Sequence, residues 1–167
     1  MSEYFKEIIS QSKQAARAMT KLSAEDRSKI LMNISGFLLT HKDDILKANQ
    51  IDVERAKSNN LSEPMINRLI LTSEKIDHLS RDVEKIAQMP DPLNQELEIW
   101  DNPSNGLRFS KVSVAIGVIG IIYESRPNVT IDAASLCLRS GNVSILRGGS
   151  ECIETNRKLY ELSLIHI

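Results

Sequence analysis

The sequence predicts an α/β fold in which a helical first half leads through a two-stranded arm into the opening strands of a parallel sheet. Three observations carry that prediction. From Phe5 to Ala87 apolar residues recur three and four apart, the spacing of helices with one buried face. Past the break at Met89-Pro90-Asp91-Pro92 the texture turns to alternation, with Leu97 and Ile99 set against Glu96 and Glu98. From Ile116 to Tyr123 it becomes almost continuously apolar, as in a strand covered on both faces of a parallel sheet.

The whole-chain quantities agree with a folded domain and narrow its partners. At 167 residues the chain has the size of one domain, and 41% hydrophobic with 26% charged residues is a globular balance. A formal charge of -1 and 4% aromatics supply neither the basic stripe nor the stacking platforms of a nucleic-acid binder. The opening residues are charged throughout, with no apolar leader, and the greasiest stretch, Val112 to Tyr123, is too short to span a bilayer. Cys137 and Cys152 form no metal-type pair and read as free thiols. The expectation is a cytoplasmic protein that binds neither nucleic acid nor membrane.

In chain order, residues 1–92 read as a helical part. Residues 3–22 predict an amphipathic helix with Phe5, Ile8, Ile9, Ala15, Ala16, Met19 and Leu22 on one side. Ser23 is an N-cap signal with Glu25 and Asp26 in the following turn, opening a helix from Ala24 to about Ala48. A short continuation runs to Lys57, stopped by Ser58-Asn59-Asn60. Ser62-Glu63-Pro64 starts a further helix and Thr72 caps the next, whose stripe is Ile76, Leu79, Val83, Ile86 and Ala87.

Residues 93–115 read as a hairpin arm, with strands Glu96 to Trp100 and Leu107 to Val114 joined by a turn whose Asn105-Gly106 step suits positive φ. A two-stranded arm does not stand alone, so it is expected to pack on the parent fold or on another chain, with Trp100 as a packing residue there. Residues 116–162 supply a strand, a helix over 130–139, a stop at Gly141-Asn142, a second strand from Val143 to Leu146 and a last helix from Cys152 to about Leu162. This is one strand–helix–strand unit, the start of an incomplete Rossmann-like parallel sheet. Residues 163–167 are expected to be a truncated or non-native end.

A nucleotide site in such a sheet belongs at the carboxyl ends of its strands. Two segments fall there. In Tyr123-Glu124-Ser125-Arg126-Pro127-Asn128, Asn128 sits at or near a helix N-terminus, where it reads as an N-cap or as an amide facing a developing negative charge. In Arg147-Gly148-Gly149-Ser150-Glu151, Arg147 offers a guanidinium to a phosphate or ribose and the glycines allow close approach; a plain turn is the alternative. Neither the dinucleotide nor the P-loop glycine signature occurs. Gly117 and Gly120 are read as close-packing residues inside the strand. His41, His78 and His166 have no second ligand at useful spacing, so no metal is expected. Neither cysteine shows the activating neighbour and exposure a nucleophile needs.

The run Gly117 to Thr130 (GVIGIIYESRPNVT), followed by Ala134 to Asn142 and Ser144 to Gly149, resembles the glutamate-5-semialdehyde dehydrogenase (gamma-glutamyl phosphate reductase) branch of the aldehyde dehydrogenase superfamily. Ala48-Asn49 with Asp52 and the Gly-Leu-Arg of the hairpin resemble it more loosely, and Ala115 departs from it where a proline is common. The resemblance implies an aldehyde-dehydrogenase-like fold with the hairpin as an oligomerisation arm. It implies NADPH-dependent reduction of L-glutamyl 5-phosphate to glutamate 5-semialdehyde with release of phosphate, a step of proline biosynthesis, in a homo-oligomer. It assigns oxyanion stabilisation to Asn128, cofactor contact to Arg147, Gly148, Gly149 and Ser150 or Glu151, and a substrate role to Arg126. The nucleophilic cysteine it requires is neither Cys137 nor Cys152, so the 167-residue chain alone is expected to be silent. The rivals are a dehydrogenase of ordinary aldehydes and a non-catalytic interaction module.

Overall fold

The structure, a computed structural model, describes residues 3–164. Five helices come first: α1 (Glu3–Met19), α2 (Ala24–Thr40), α3 (Lys42–Ser58), α4 (Glu63–Leu69) and α5 (Ser73–Gln88). Strands β1 (Glu96–Asn102) and β2 (Leu107–Val112) follow, then β3 (Val118–Ile122), α6 (Pro127–Arg139), β4 (Val143–Arg147), a 3-10 turn (Ser150–Cys152) and α7 (Ile153–Leu164). The expected end at 163–167 divides: Ser163 and Leu164 continue α7, while 165–167, with His166, lie outside the described residues.

Local chemistry explains most boundaries. Ser23 and Asp26 form a reciprocal capping box at the start of α2, and Thr72 accepts from the Lys75 N–H at the start of α5. The expected single helix over 24–48 is instead broken at His41, which ends α2 and begins α3 with φ -106 and ψ 22. Periodicity could not reveal the break, because Leu31, Leu38 and Ile45 are buried on both sides of it. The stripe expected on α1 also narrows. Ser12 and Met19 are buried, whereas Phe5 and Ile9 are exposed.

The helices pack around Leu31, Leu38, Ile45, Ile76, Val83, Ile131 and Leu159 in one core. Ala56, Leu69 and Cys152 form a second cluster beneath the 3-10 turn. Two buried arginines tie the helical layer to the chain's later elements. Arg27 grips the Asp91 carboxylate with 2.7 and 2.8 Å contacts and donates to the Leu22 carbonyl at 2.7 Å. Arg139, at the end of α6, donates to Ser28 Oγ at 2.8 Å and to the Ala24 and Met89 carbonyls.

β1 and β2 pair antiparallel, with an irregularity between Glu96 and Glu98, and Trp100 stacks on Phe109 with centroids 5.4 Å apart. Every residue of the two strands except Asn102 is exposed, so Trp100 packs within the arm and not against the body. β3 and β4 pair in parallel, with Val118 opposite Val143 and Ile122 opposite Arg147. Their connection, α6, ends in a Schellman arrangement: Asn142 N–H donates to the Cys137 carbonyl at 2.8 Å and Gly141 N–H to Leu138 at 3.1 Å. Asn142 then accepts from the Gly117 N–H through Oδ1 at 2.8 Å, which fixes where β3 begins.

The apolar run of β3 matches a strand of a larger sheet, and the incomplete sheet leaves it partly uncovered: Ile116 before it and Ile122 at its end are 82% and 81% exposed, and among the described residues β4 alone pairs with it. One expectation is corrected: close packing within this chain does not account for the glycines at 117 and 120. Gly117 has φ +116, a region disfavoured for side chains, and a Cβ on Gly120 would meet nothing within 4 Å.

Candidate active-site rim

The parallel register brings the carboxyl ends of β3 and β4 together, with Tyr123 N–H donating to the Arg147 carbonyl at 3.1 Å. The loop after β3 and the turn after β4 then touch. Ser125 Oγ donates to the Glu151 carboxylate in a short contact, and that hydrogen bond holds the Glu151 carboxyl below the usual carboxylate range. A chain of polar contacts runs beneath. The Tyr123 hydroxyl meets Thr130 Oγ1 at 2.7 Å, Thr130 Oγ1 meets Asn156 Oδ1 at 2.8 Å, and Asn156 Nδ2 meets Cys152 Sγ at 3.1 Å.

α6 begins at Pro127, three residues before the expected start, because proline is favoured in a first turn where no N–H is required. Arg126 is its N-cap without a side-chain bond, so the N-cap reading of Asn128 is replaced. Asn128 sits one residue inside the helix, exposed, and its Nδ2 donates to Asp132 Oδ2 at 3.1 Å. Asn128 and Asp132 line a cleft of about 500 Å³ between α6 and the α4–α5 segment, shared with Arg68, Lys75, His78 and Asp82. Burial pushes the Asp132 carboxyl above its ordinary range, partly offset by the Asn128 bond.

The other rim residues separate by environment. Arg126, Arg147 and Ser150 are exposed, and neither arginine forms an ion pair among the described residues. Gly148 and Gly149 are explained by the protein's own packing. A Cβ on Gly148 would run into Asn156 and the Tyr123 ring, and one on Gly149 into Ser125 and Glu151. The glycines therefore seat the rim network; the Arg147 side chain is exposed beside it, and the Ser150 hydroxyl bonds to the Glu151 carboxyl. No contact joins Asn128 to Arg147; they share the rim but face different surroundings.

Asp52 and Asn49 were not singled out for chemistry by sequence, yet they anchor the far side of the rim. Asp52 is fully buried and accepts from Thr155 N–H at 2.8 Å, Thr155 Oγ1 at 2.7 Å and Glu154 N–H at 3.2 Å. It thus caps the start of α7 from α3, where the partial positive charge of a helix start favours a carboxylate. Asn49 Nδ2 donates to the Leu69 carbonyl at 2.8 Å and to Thr155 Oγ1 at 3.2 Å, and its Oδ1 accepts from Leu71 N–H. The polar residues at 49 and 52, one helical turn apart on an otherwise ordinary helix, were the available signal.

Both cysteines are buried. Burial pushes the Cys152 thiol up to about 11 and raises Cys137 as well, so neither is poised as a thiolate at neutral pH. Among the described residues no group of histidine, cysteine, aspartate or glutamate is arranged to hold a metal, and no helix is long and apolar enough to cross a membrane.

No protein-family model matches the chain. Gamma-glutamyl phosphate reductase of Thermodesulfovibrio yellowstonii is 41% identical over 152 residues, which are 91% of this chain and 36% of that protein. Its counterpart in Geobacillus sp. is 44% identical over 149 residues, 89% of this chain and 36% of that protein. Among solved structures, gamma-glutamyl phosphate reductase of Thermotoga maritima superposes with a TM-score of 0.90 at 34% identity, over 94% of this chain and 38% of that one. The Saccharomyces cerevisiae enzyme gives 0.92 at 29% identity, over 100% and 42%. An NAD-dependent benzaldehyde dehydrogenase of Corynebacterium glutamicum, 18% identical with a TM-score of 0.69 over 93% of this chain and 31% of that one, shares the fold alone. The chain thus spans a little over a third of the length of the relatives it matches. Its α/β architecture is that of aldehyde-dehydrogenase-like structures, and the chain is homologous to gamma-glutamyl phosphate reductases.

Proposed function

We propose that the whole protein carrying this chain reduces L-glutamyl 5-phosphate with NADPH to L-glutamate 5-semialdehyde, releasing phosphate, as a cytoplasmic step of proline biosynthesis. The observation that carries this reading is 41–44% identity, over about nine-tenths of the chain, to proteins named for that reaction. Bound NADPH supplies the hydride. Within this chain Asn128 serves as an amide donor to the oxyanion that forms at the acyl carbon, since it lies exposed in the first turn of α6 at the mouth of a cleft. Arg147 and Ser150 contact the phosphate or ribose of the cofactor, with Gly148 and Gly149 shaping that turn, and Glu151 is held beside it by Ser125. Arg126, exposed at the α6 cap, is positioned to meet an acidic substrate.

The nucleophile is a cysteine outside this chain, because Cys137 and Cys152 are buried with raised pKa values. The exposed β1–β2 arm, carrying Leu97, Trp100, Leu107 and Phe109 at the surface, assembles the protein into a homo-oligomer. The experiment is to express the full-length protein and follow NADPH formation from glutamate 5-semialdehyde and NADP. Formation that requires inorganic phosphate supports the reading. Equal rates with and without phosphate mark a dehydrogenase of ordinary aldehydes instead.

A further inference from the structure

The cleft beside Asn128 carries charges of both signs at its edge. Arg68, Lys75 and His78 come from α4 and α5, and Asp82 and Asp132 stand among them on α5 and α6. The cations already have local partners: Arg68 reaches Glu124 at 3.2 Å across two exposed side chains, Lys75 donates to the Ile70 carbonyl at 2.7 Å, and His78 Nδ1 meets Arg81 at 3.0 Å. Asp82 pairs with Lys85 at 2.8 Å. Asp132 differs. It is half-buried, it forms no ion pair among the described residues, and its one side-chain partner is the neutral amide of Asn128. A carboxylate taken partly out of water without a cation is disfavoured unless something positive arrives to meet it.

We propose that Asp132 recognises the α-ammonium group of the substrate, so that this cleft selects a derivative of an α-amino acid over the corresponding acid lacking the amine. The inference rests on the reading of the site given above and deepens it by assigning the substrate's amino end. The spacing fits. Asn128 Nδ2 and Asp132 Oδ2 are 3.1 Å apart, and four bonds separate the acyl carbon of a 5-glutamyl group from its α-nitrogen, a span of roughly 5 Å when extended. An acyl oxygen at the Asn128 amide therefore leaves the amine within reach of the Asp132 carboxylate. The second hydrogen on Nδ2 remains available for the oxyanion, and the bond to Asp132 sets the plane of the amide. The raised carboxyl pKa of Asp132 accords with a site whose counter-charge comes with the ligand.

The test uses Asp132→Asn in the full-length protein. That change keeps an oxygen able to accept from Asn128 and removes only the charge. Turnover is compared for glutamate 5-semialdehyde and for 5-oxopentanoate, which lacks the amine. Calorimetric titration of the same proteins with L-glutamate and with glutarate reads recognition without catalysis. The expected result is a loss of roughly 10–100-fold in kcat/KM for the amine-bearing aldehyde with at most about 3-fold for the other. A preference of the wild type for L-glutamate over glutarate should vanish in the variant. The apo variant should also be no less stable than wild type at neutral pH: the folded-state pKa of Asp132 lies above its unfolded value, so its favourable contribution is present at low pH and lost as pH rises. Equal losses on both aldehydes, or no titration preference for L-glutamate, overturns the proposal. A titration preference that depends on Asp132, in a protein with no phosphate-dependent turnover, upholds the ammonium site and overturns the reaction assigned above.

Discussion

Replacing Asp52 by alanine should loosen the whole far side of the rim. Asp52 is fully buried, and its carboxylate accepts three hydrogen bonds from the first turn of α7, two of them from the buried Thr155. Alanine leaves the Thr155 N–H and hydroxyl without that acceptor, at about 1–3 kcal/mol for each buried donor. It also removes the charge that a helix start favours, worth about 0.3–1 kcal/mol. The Glu154 N–H is better placed for rehydration, because Glu154 is only partly buried. The total is about 2–7 kcal/mol, a large share of the roughly 5–15 kcal/mol that holds a domain together. Urea unfolding of the 167-residue chain, followed by far-UV circular dichroism, should show a midpoint lowered by roughly 1–3.5 M if the slope is near 2 kcal/mol per M. Asp43→Ala, an exposed carboxylate in the first turn of α3, is the control and should cost less than about 1 kcal/mol. Hydrogen exchange should show α7 and the 3-10 turn losing protection first, since Cys152 packs in the small cluster against α3 and α4. A loss below about 1 kcal/mol for Asp52→Ala would refute the assignment of Asp52 as the tether of α7.

Three further outcomes follow from the same geometry. In the full-length protein Asn128→Ala should lower turnover roughly 10²–10³-fold with cofactor affinity almost unchanged, measured by single-turnover rate and NADPH titration; equal losses in both would indicate a folding role. Cys152, with its thiol pushed up to about 11, should react with a thiol reagent about 100-fold more slowly in the native chain than in urea, and Cys152→Ser should retain the full-length activity. Gly141→Ala should destabilise by about 1–3 kcal/mol in urea titrations, because φ is +70 there and a Cβ would meet Leu93 Cδ1 at 2.6 Å; an unchanged midpoint would contradict the Schellman stop.

What could be read from the sequence tracked how local the cause is. The N-cap at Ser23, the proline start of α4, the cap at Thr72 and the stop at Gly141-Asn142 depend on neighbours a few residues away, and each stands where the pattern put it. The adjacent parallel strands β3 and β4 were legible from apolar runs flanking one helix. The break at His41 was not, because both helices bury the same periodic residues against α5, and a one-residue junction leaves no polar gap. The wide stripe on α1 failed for a related reason: periodicity shows which residues share a side, not how much of that side another element covers. At the site, the sequence marked the rim loops but not what lies behind them. Asp132 meets Asn128 one turn along the same helix, whereas Asp52 and Thr155 are far apart in the chain, and pairing at that distance leaves no spacing signal. Gly148 and Gly149 illustrate the converse, since a pattern suggesting ligand approach also serves to seat Tyr123, Asn156 and Ser125.

The central claim is that this chain contributes the oxyanion side of an enzyme coupling hydride transfer to acyl-phosphate cleavage. It is tested most directly by stoichiometry in the full-length protein. With L-glutamyl 5-phosphate generated in place by a kinase reaction, NADPH oxidation, phosphate release and semialdehyde formation are measured together, with the kinase-only background subtracted. The account predicts one phosphate and one semialdehyde for each NADPH oxidised, and suppression of all three by Asn128→Ala. Semialdehyde formation that leaves NADPH unconsumed, or hydride transfer without matching phosphate release, would contradict it.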